Sequence, residues 1–240
     1  MDIMVRLAMS GAKDTMLAQA VNAQNLANAS TPGFRADLVK FLSEQTAEGE
    51  ISRVVNSVDL RHGELRTTNR TLDVAVNGDG WMTVQADDGS QAFTRRGDLQ
   101  VNGQGQLTNG AGLPIVGNNG PIALPPFAEI EIGSDGTISI LPLGQGPNSL
   151  AVIDRIRLVQ ADANGLEKGL DGLLRLKAGF EAVPDQEVEL VSGTLEGSNV
   201  NPIESLVRMI DLARQFESQV KIMDTAETND QSLASVMRLT

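Results

Sequence analysis

The chain has no cysteine and no tyrosine, a single histidine and a single tryptophan, and each scarcity closes off a class of chemistry. Without cysteine there is no disulfide framework, no thiolate zinc site and no thiol nucleophile. With His62 as the only imidazole, metal sites that need two histidines are excluded, and a Ser-His-Asp arrangement has one possible base. Aromatic residues make up only 3% of the chain, so its core rests on Val, Ile, Leu and Ala, and stacking platforms for sugars are scarce. No Lys/Arg-rich run exists to bind phosphates, so nucleic acid is not expected as a partner. No stretch of 18 or more apolar residues is present, and membrane insertion is not expected. The segment from Met1 to Ala12 carries Asp2 and Arg6 and lacks the long apolar run of a signal peptide. Read alone, that pattern is cytosolic.

What is present is organised by position. Of the net charge of −12, residues 1–40 contribute +1 and residues 200–240 contribute −2, leaving −11 in residues 41–199. Near-neutral ends pack against copies of themselves without accumulating repulsion, while the acidic middle faces either solvent or a basic partner. Both ends also carry a seam in which apolar residues recur alternately three and four positions apart. At the N-terminus these are Val5, Met9, Ala12, Met16, Ala23 and Leu26, with Gln19 the polar occupant. At the C-terminus they are Leu206, Met209, Ala213, Phe216, Val220 and Met223, interrupted at Glu227 and Asp230 before Ala234 and Met237. Such seams either pack on their own domain or join subunits. A helix over residues 202–237 would run roughly 54 Å at ~1.5 Å per residue, longer than the middle domain can cover.

Helix punctuation sets the limits. Ser198, Asn199 and Asn201 offer cap oxygens before Pro202, so the C-terminal helix is expected to begin near Pro202. Pro32-Gly33 disfavours continuation of the N-terminal helix, which is expected to stop by about Ser30. Asn22, Asn25 and Asn28 set three amides near that stop, where they either bond across subunits, stay solvated or help to end the helix.

Between the helices, twelve of the 24 glycines fall from Gly78 to Gly136, mostly beside Asn or Asp, as in Asn77-Gly78, Asp88-Gly89, Asn102-Gly103, Asn109-Gly110, Asn119-Gly120 and Asp135-Gly136. These pairs predict hairpin turns. Strands are expected over 81–86, 91–95, 106–108, 114–117, 129–132, 137–141, 154–160, 173–177 and 187–191, making an antiparallel domain. The glycine pairs complete no dinucleotide fingerprint and open no helix, and Asp87-Asp88-Gly89 lacks the later ligands of a calcium loop. No cofactor and no metal are expected.

Four blocks resemble the flagellar rod and hook family of axial proteins. Asn25-Leu26-Ala27-Asn28 followed by Thr31-Pro32-Gly33-Phe34-Arg35 resembles its N-terminal signature. Arg70 to Met82 resembles the segment entering its β-domain, with Trp81 and Met82 in place of a phenylalanine pair. Phe93-Thr94-Arg95-Arg96-Gly97-Asp98-Leu99, followed by Gly105-Gln106-Leu107, resembles its turn region. Leu195, Glu196, Ser198, Asn199 and Val200 match its C-terminal motif.

The resemblance covers nearly the whole chain and lies closest to the proximal-rod members, with distal-rod members as the nearest rival. It implies an α+β fold: long N- and C-terminal helices packing in a coiled-coil-like manner, with a central antiparallel β-rich domain. The expected divisions are an N-terminal assembly segment (1–35), an extended connector (36–71), the β-rich domain (72–195) and a C-terminal assembly segment (196–240). It implies a structural subunit, not an enzyme. The partners would be copies of itself, other rod proteins and the flagellar type III export apparatus. The location would be the rod within the periplasm, reached without a cleaved signal peptide. Val5, Met9, Met16, Leu26, Leu206, Met209, Phe216, Val220 and Met223 are the expected assembly seam. Two other classes stay open at this point: an acidic adaptor that docks its helices on one partner, and a cell-wall glycan hydrolase using two of the 31 acidic residues.

Overall fold

The computed structural model describes residues 2–46, 49–144, 149–184 and 187–237. Two helices and a set of short strands make an α+β fold. The chain divides into two compact units, one of residues 1–29, 37–57 and 200–240, the other of residues 30–36 and 58–199.

The first unit is helical. Its α1 spans Asp2–Ala27 and its α2 spans Pro202–Met237. Of the candidate caps, Asn201 does the work: its Oδ1 accepts from the Ile203 and Glu204 amides at 3.0 and 3.3 Å, and Pro202 follows where no donor is needed. At the other limit, the Asn28 amide is shared between the Gln24 and Asn25 carbonyls, tightening the last turn before the chain leaves the helix. The expected run to Leu239 passes beyond the described residues.

The two helices pack antiparallel, with Asn22 meeting Ser205 and Gly11 meeting Gln219. A side chain at Gly11 would press on the Gln219 amide at 3.0 Å, so glycine sets how closely the helices approach there. The centre of the contact on α1 is Ala8, Ala12, Thr15 and Asn22, all buried, with Val5, Gln19 and Leu26 half-buried. On α2 it is Ser205, Leu212 and Ala226, with half-buried Met209, Phe216, Gln219 and Met223 between them. Both stripes step alternately by three and four residues, which keeps them on one helical face.

Residues 36–71, expected as an extended connector, contain structure of their own. Asp37–Thr46 and Gly49–Val58 pair as a two-stranded sheet, and Leu65–Thr67 pairs antiparallel with Thr194–Glu196. Apolar residues there, such as Leu38-Val39 and Phe41-Leu42, fall side by side, so no alternation announces the strands. The backbones satisfy one another instead, a signal that composition does not carry.

The second unit is β-structure. Its largest sheet has six strands in the order Leu166–Lys168, Leu174–Leu176, Gln91–Thr94, Gly80–Gln85, Leu158–Gln160, Val183–Pro184. A three-stranded sheet carries Phe127–Ile132, Thr137–Pro142 and Ala151–Arg155 in that order. The strand expected over 154–160 is therefore two strands in two sheets. The chain changes sheet at Ile156, which is buried, and at Arg157, whose amide bonds to the Val116 carbonyl. Met82, Leu99, Leu107, Ile115, Ile138, Ile140 and Ile156 fill the core almost without exposure.

One turn recurs around this core. At Ala86, Asn102, Asn109, Gly133 and Gly169, the carbonyl accepts from the residue three on while the amide donates to the residue four on. The residue three on is always glycine with positive φ: Gly89, Gly105, Gly112, Gly136 and Gly172. This is a three-residue hairpin with a left-handed glycine closing it. It corrects the expected placement at two sites, where Gly105 and Gly112, not Gly103 and Gly110, take the left-handed position. The Asn102 and Asn109 side chains instead accept from amides two and four residues on, holding the turn from inside.

Replacing these glycines separates conformation from space. At Gly112 an added Cβ meets nothing within 4 Å, so Gly112→Ala is expected to cost roughly 1–2 kcal/mol from the left-handed backbone alone. At Gly105 the same Cβ would lie 2.8 Å from the Leu124 carbonyl oxygen, so Gly105→Ala is expected to cost more. Urea denaturation of both variants checks the order, and equal losses would show that the contact at Leu124 relaxes freely.

Candidate functional site

The β-unit buries a charge cluster built from motif residues far apart in the sequence. Glu196 ends the Thr194–Glu196 strand with its side chain 1% exposed. One carboxylate oxygen, Oε1, accepts from Arg35 Nη2 at 2.7 Å and from the Gly63 amide at 2.9 Å. The other, Oε2, accepts from Arg95 Nη1 at 3.2 Å. The guanidinium carbons of Arg95 and Arg35 stand 4.9 and 5.6 Å from the centroid of the Trp81 ring. Two buried cations thus share one anion and one indole ring. The Nε and Nη1 atoms of Arg35 and the Nε of Arg95 have no hydrogen-bond partner, and the electron-rich indole is what the cluster offers those guanidinium groups beyond the carboxylate.

His62 closes the rim. Arg95 Nη1 lies 2.8 Å from His62 Nδ1 and can only donate, so Nδ1 accepts and Nε2 carries the proton toward Asp79 Oδ1 at 3.1 Å. Arg95 Nη2 also donates to the Gly78 carbonyl. Burial pushes the Glu196 carboxyl up, but the charges of Arg35 and Arg95 outweigh it and hold the group below its ordinary value of 4.5. Burial lowers the Arg95 guanidinium, against the pull of Glu196.

Backbone geometry brings these side chains together. Gly33 has φ +66°, and its amide donates to the Glu196 carbonyl at 2.8 Å. A Cβ there would fall 2.3 Å from the Arg95 carbonyl carbon, so only glycine lets the Thr31-Pro32-Gly33-Phe34 loop lie against the Arg95 backbone. Asn199 accepts from the Ala36 amide at 2.8 Å and donates to the Asp59 and Arg61 carbonyls. Lys168 donates to the Arg35 carbonyl at 2.7 Å, with its ammonium 3.9 Å from the Phe34 ring centroid. The chain passes between the two units near residues 30, 36, 58 and 199.

The other motif residues serve the helical unit. Asn22 donates to the Ser205 carbonyl at 2.8 Å. Asn25 makes a reciprocal pair with the Asp37 backbone, donating to its carbonyl and accepting from its amide at 2.8 Å each. These buried amides bond inside the chain, while Asn28 donates to the Gln24 carbonyl at the frayed end. Thr31, Pro32 and Phe34 are half-buried beside Gly33, Leu195 pairs with Arg66, Ser198 is half-buried and Val200 is buried.

The expected seam residues divide into two columns. Met209, Phe216, Met223, Val5 and Leu26 are half-buried on the faces where α1 and α2 meet. Met9 and Met16 are each 58% exposed, with Leu206 at 50% and Val220 at 42%. Around them Leu7, Ile203, Val207 and Ile210 also lie open. The side chains of Ala234 and Met237 lie outside the described residues. Among the described residues no cluster of three or more His, Asp or Glu is placed to hold a metal, and no helix is long and apolar enough to cross a membrane.

Sequence reasoning quoted Arg95 and Trp81 only as parts of motifs and placed His62 in the connector. Arg95 stands beside Arg96 and Asp98, and Trp81 shares its block with Arg70, Asp73 and Asp79, so no local signal singled them out.

Family comparisons match the same segments. Residues 6–35 match the family described as flagella basal body rod protein, residues 75–140 the flagellar hook protein FlgE/F/G D1 domain, and residues 191–236 the flagellar basal body rod FlgEFG protein C-terminal. The chain is 43% identical over 243 residues to the flagellar basal-body rod protein FlgF of Salmonella typhimurium, covering 96% of each chain. The chain belongs to the flagellar basal-body rod protein family. The rod protein FlgF of Escherichia coli is also 43% identical, over 95% of this chain and 96% of its own. Rod protein FlgG of Bacillus subtilis is 30% identical over 95% of this chain and 97% of its own. The buried cluster thus joins residues of three of the matched motif blocks in a rod-family chain.

Glu196→Gln leaves two buried guanidinium groups without a counter-charge and is expected to cost about 3–5 kcal/mol. Trp81 is the only tryptophan, so its fluorescence during urea denaturation reports on this cluster directly. Because the folded Glu196 value is depressed, its contribution is complete above the ordinary carboxylate range and is lost as pH falls through the folded value. The gap between parent and variant should therefore narrow on acidification. A gap that widens toward low pH would contradict the ion-pair account.

Proposed function

We propose that the chain is a structural subunit of the flagellar basal-body rod, of the FlgF kind that forms the proximal rod, and that it polymerises through its terminal helices. The observation that carries this is 43% identity to FlgF relatives across nearly the full length of both chains. Identity to FlgG, the distal-rod alternative, is lower at 30%. In this reading the partners are copies of the chain and other rod proteins. The chain reaches the periplasm through the type III export apparatus without a cleaved signal, and it performs no catalysis. Residues 1–35 and 196–240 are the assembly segments and residues 72–195 the outer domain.

The mechanism is packing. Helices of adjacent subunits meet in a coiled-coil-like array, using Val5, Met9, Met16 and Leu26 with Leu206, Met209, Phe216, Val220 and Met223. The support is the exposed column of that seam. Burying a large apolar side chain contributes about 1.5–3 kcal/mol, and a single copy leaves Met9, Met16, Leu206 and Val220 largely open. Ala8, Ala12, Thr15 and Asn22 at the centre of the intrachain contact are small or polar, so the helices carry more apolar surface than their own pairing consumes.

Met9→Glu and Leu206→Glu test the seam cleanly, because both residues are at least half exposed within one chain. Each is expected to leave the circular dichroism and melting of the isolated chain unchanged and to abolish swimming and rod completion. Normal motility in both would remove these residues from the seam.

A second variant opposes assembly to catalysis. Any histidine-dependent base must be His62, whose Nδ1 accepts a hydrogen bond that a glutamine oxygen can also accept. His62→Gln is expected to swim nearly as the parent does. Intact rods that fail to support motility in this variant would assign His62 a chemical role.

A further inference from the structure

The face of the six-stranded sheet carries a groove of about 490 Å³ unrelated to the buried cluster. Phe93, Val159, Leu176 and Phe180 give it an apolar lining, beside the polar Ser90 and Gln91 and the carboxylate of Glu181. Phe180 is held by contact with Gly165, where an added Cβ would strike the ring at 2.4 Å. Two cations line the groove. Arg175 is engaged by Asp171, at 2.6 and 2.8 Å. Arg157 is half-buried, and among the described residues its guanidinium has no hydrogen-bond or ion-pair partner. With Arg175 neutralised by Asp171, Arg157 is the cation the groove leaves unpaired among the described residues, on a unit that carries most of a net −12.

The same unit presents the complement elsewhere. Phe127–Ile132 is an edge strand, hydrogen-bonded to Thr137–Pro142 on one side only. Ile130 and Ile132 face the core, so Glu129 and Glu131 share the outward face, about 7 Å apart at strand spacing. Neither glutamate has a hydrogen-bond or ion-pair partner among the described residues, and Ala128 beside them is exposed.

We infer that the Arg157 groove of one copy receives the Phe127–Ile132 edge of a second copy. This rests on the rod reading and names a partner surface for the β-unit, separate from the helices. Groove and strand are different patches of one surface, so the contact is heterologous and repeats from copy to copy. Arg157 supplies the counter-charge for Glu129 and Glu131, and Phe93, Val159, Leu176 and Phe180 supply the burial.

The test places a photoreactive benzoylphenylalanine at position 180 of the full chain, produced in cells lacking the parent copy, and irradiates purified basal bodies. The expected product is an adduct of twice the chain mass whose cross-linked peptide contains residues 127–132. Arg157→Glu should lower its yield roughly tenfold, and combining that variant with Glu129→Lys and Glu131→Lys should restore it. Adducts to a different protein, or a yield indifferent to Arg157→Glu, overturn the contact. Basal bodies that contain the chain but give no self-adduct overturn this contact while leaving the rod reading intact. Basal bodies without the chain overturn both.

Discussion

A single carboxylate, Glu196, draws together segments of the β-unit that are far apart in the sequence. It is buried between two guanidinium groups that arrive from residues 35 and 95, and its own strand leads within three residues to Asn199, which holds the Ala36 amide and the Asp59 and Arg61 carbonyls. Removing the anion would strand two cations in a low-dielectric site, which is why such a triad locks geometry more than it adds net stability. The consequence is mechanical. Within the β-unit, residues 33–36, 59–63, 95 and 196–199 are held by charge, hydrogen bond and the close approach of Gly33 to the Arg95 backbone.

The helical unit follows the opposite logic. Where the cluster spends its most specific chemistry on internal closure, α1 turns alanine, threonine and asparagine toward α2 and leaves methionine and leucine outward. The pairing of the two helices therefore leaves a column of large apolar side chains uncovered within one chain. A rod subunit needs this division. In the proposed assembly the exposed methionine and leucine column is what neighbours would cover.

Much of the fold was legible because punctuation is local. Pro202 after Asn201, Pro32-Gly33 after the first helix, and the glycine turns each act over a few residues, and the helices begin and end accordingly. The left-handed glycine was misplaced at Gly103 and Gly110 because Asn-Gly suggests a two-residue turn, whereas the chain closes three-residue turns with Gly105 and Gly112. The Asp37–Val58 strands were illegible because adjacent apolar pairs hide their alternation, and their stability comes from backbone pairing. The buried cluster was half legible. Its members stood inside quoted motifs, but nothing in one sequence says that residues 35, 95 and 196 meet.

The most direct test of the account is a density map of isolated basal bodies at a resolution that shows side chains. The account predicts this chain in the rod, with Met9 and Leu206 of each copy packed against helices of its neighbours and Glu196 closed between Arg35 and Arg95. Density for this chain with Met9 and Leu206 facing solvent, or a rod that lacks the chain, would contradict it.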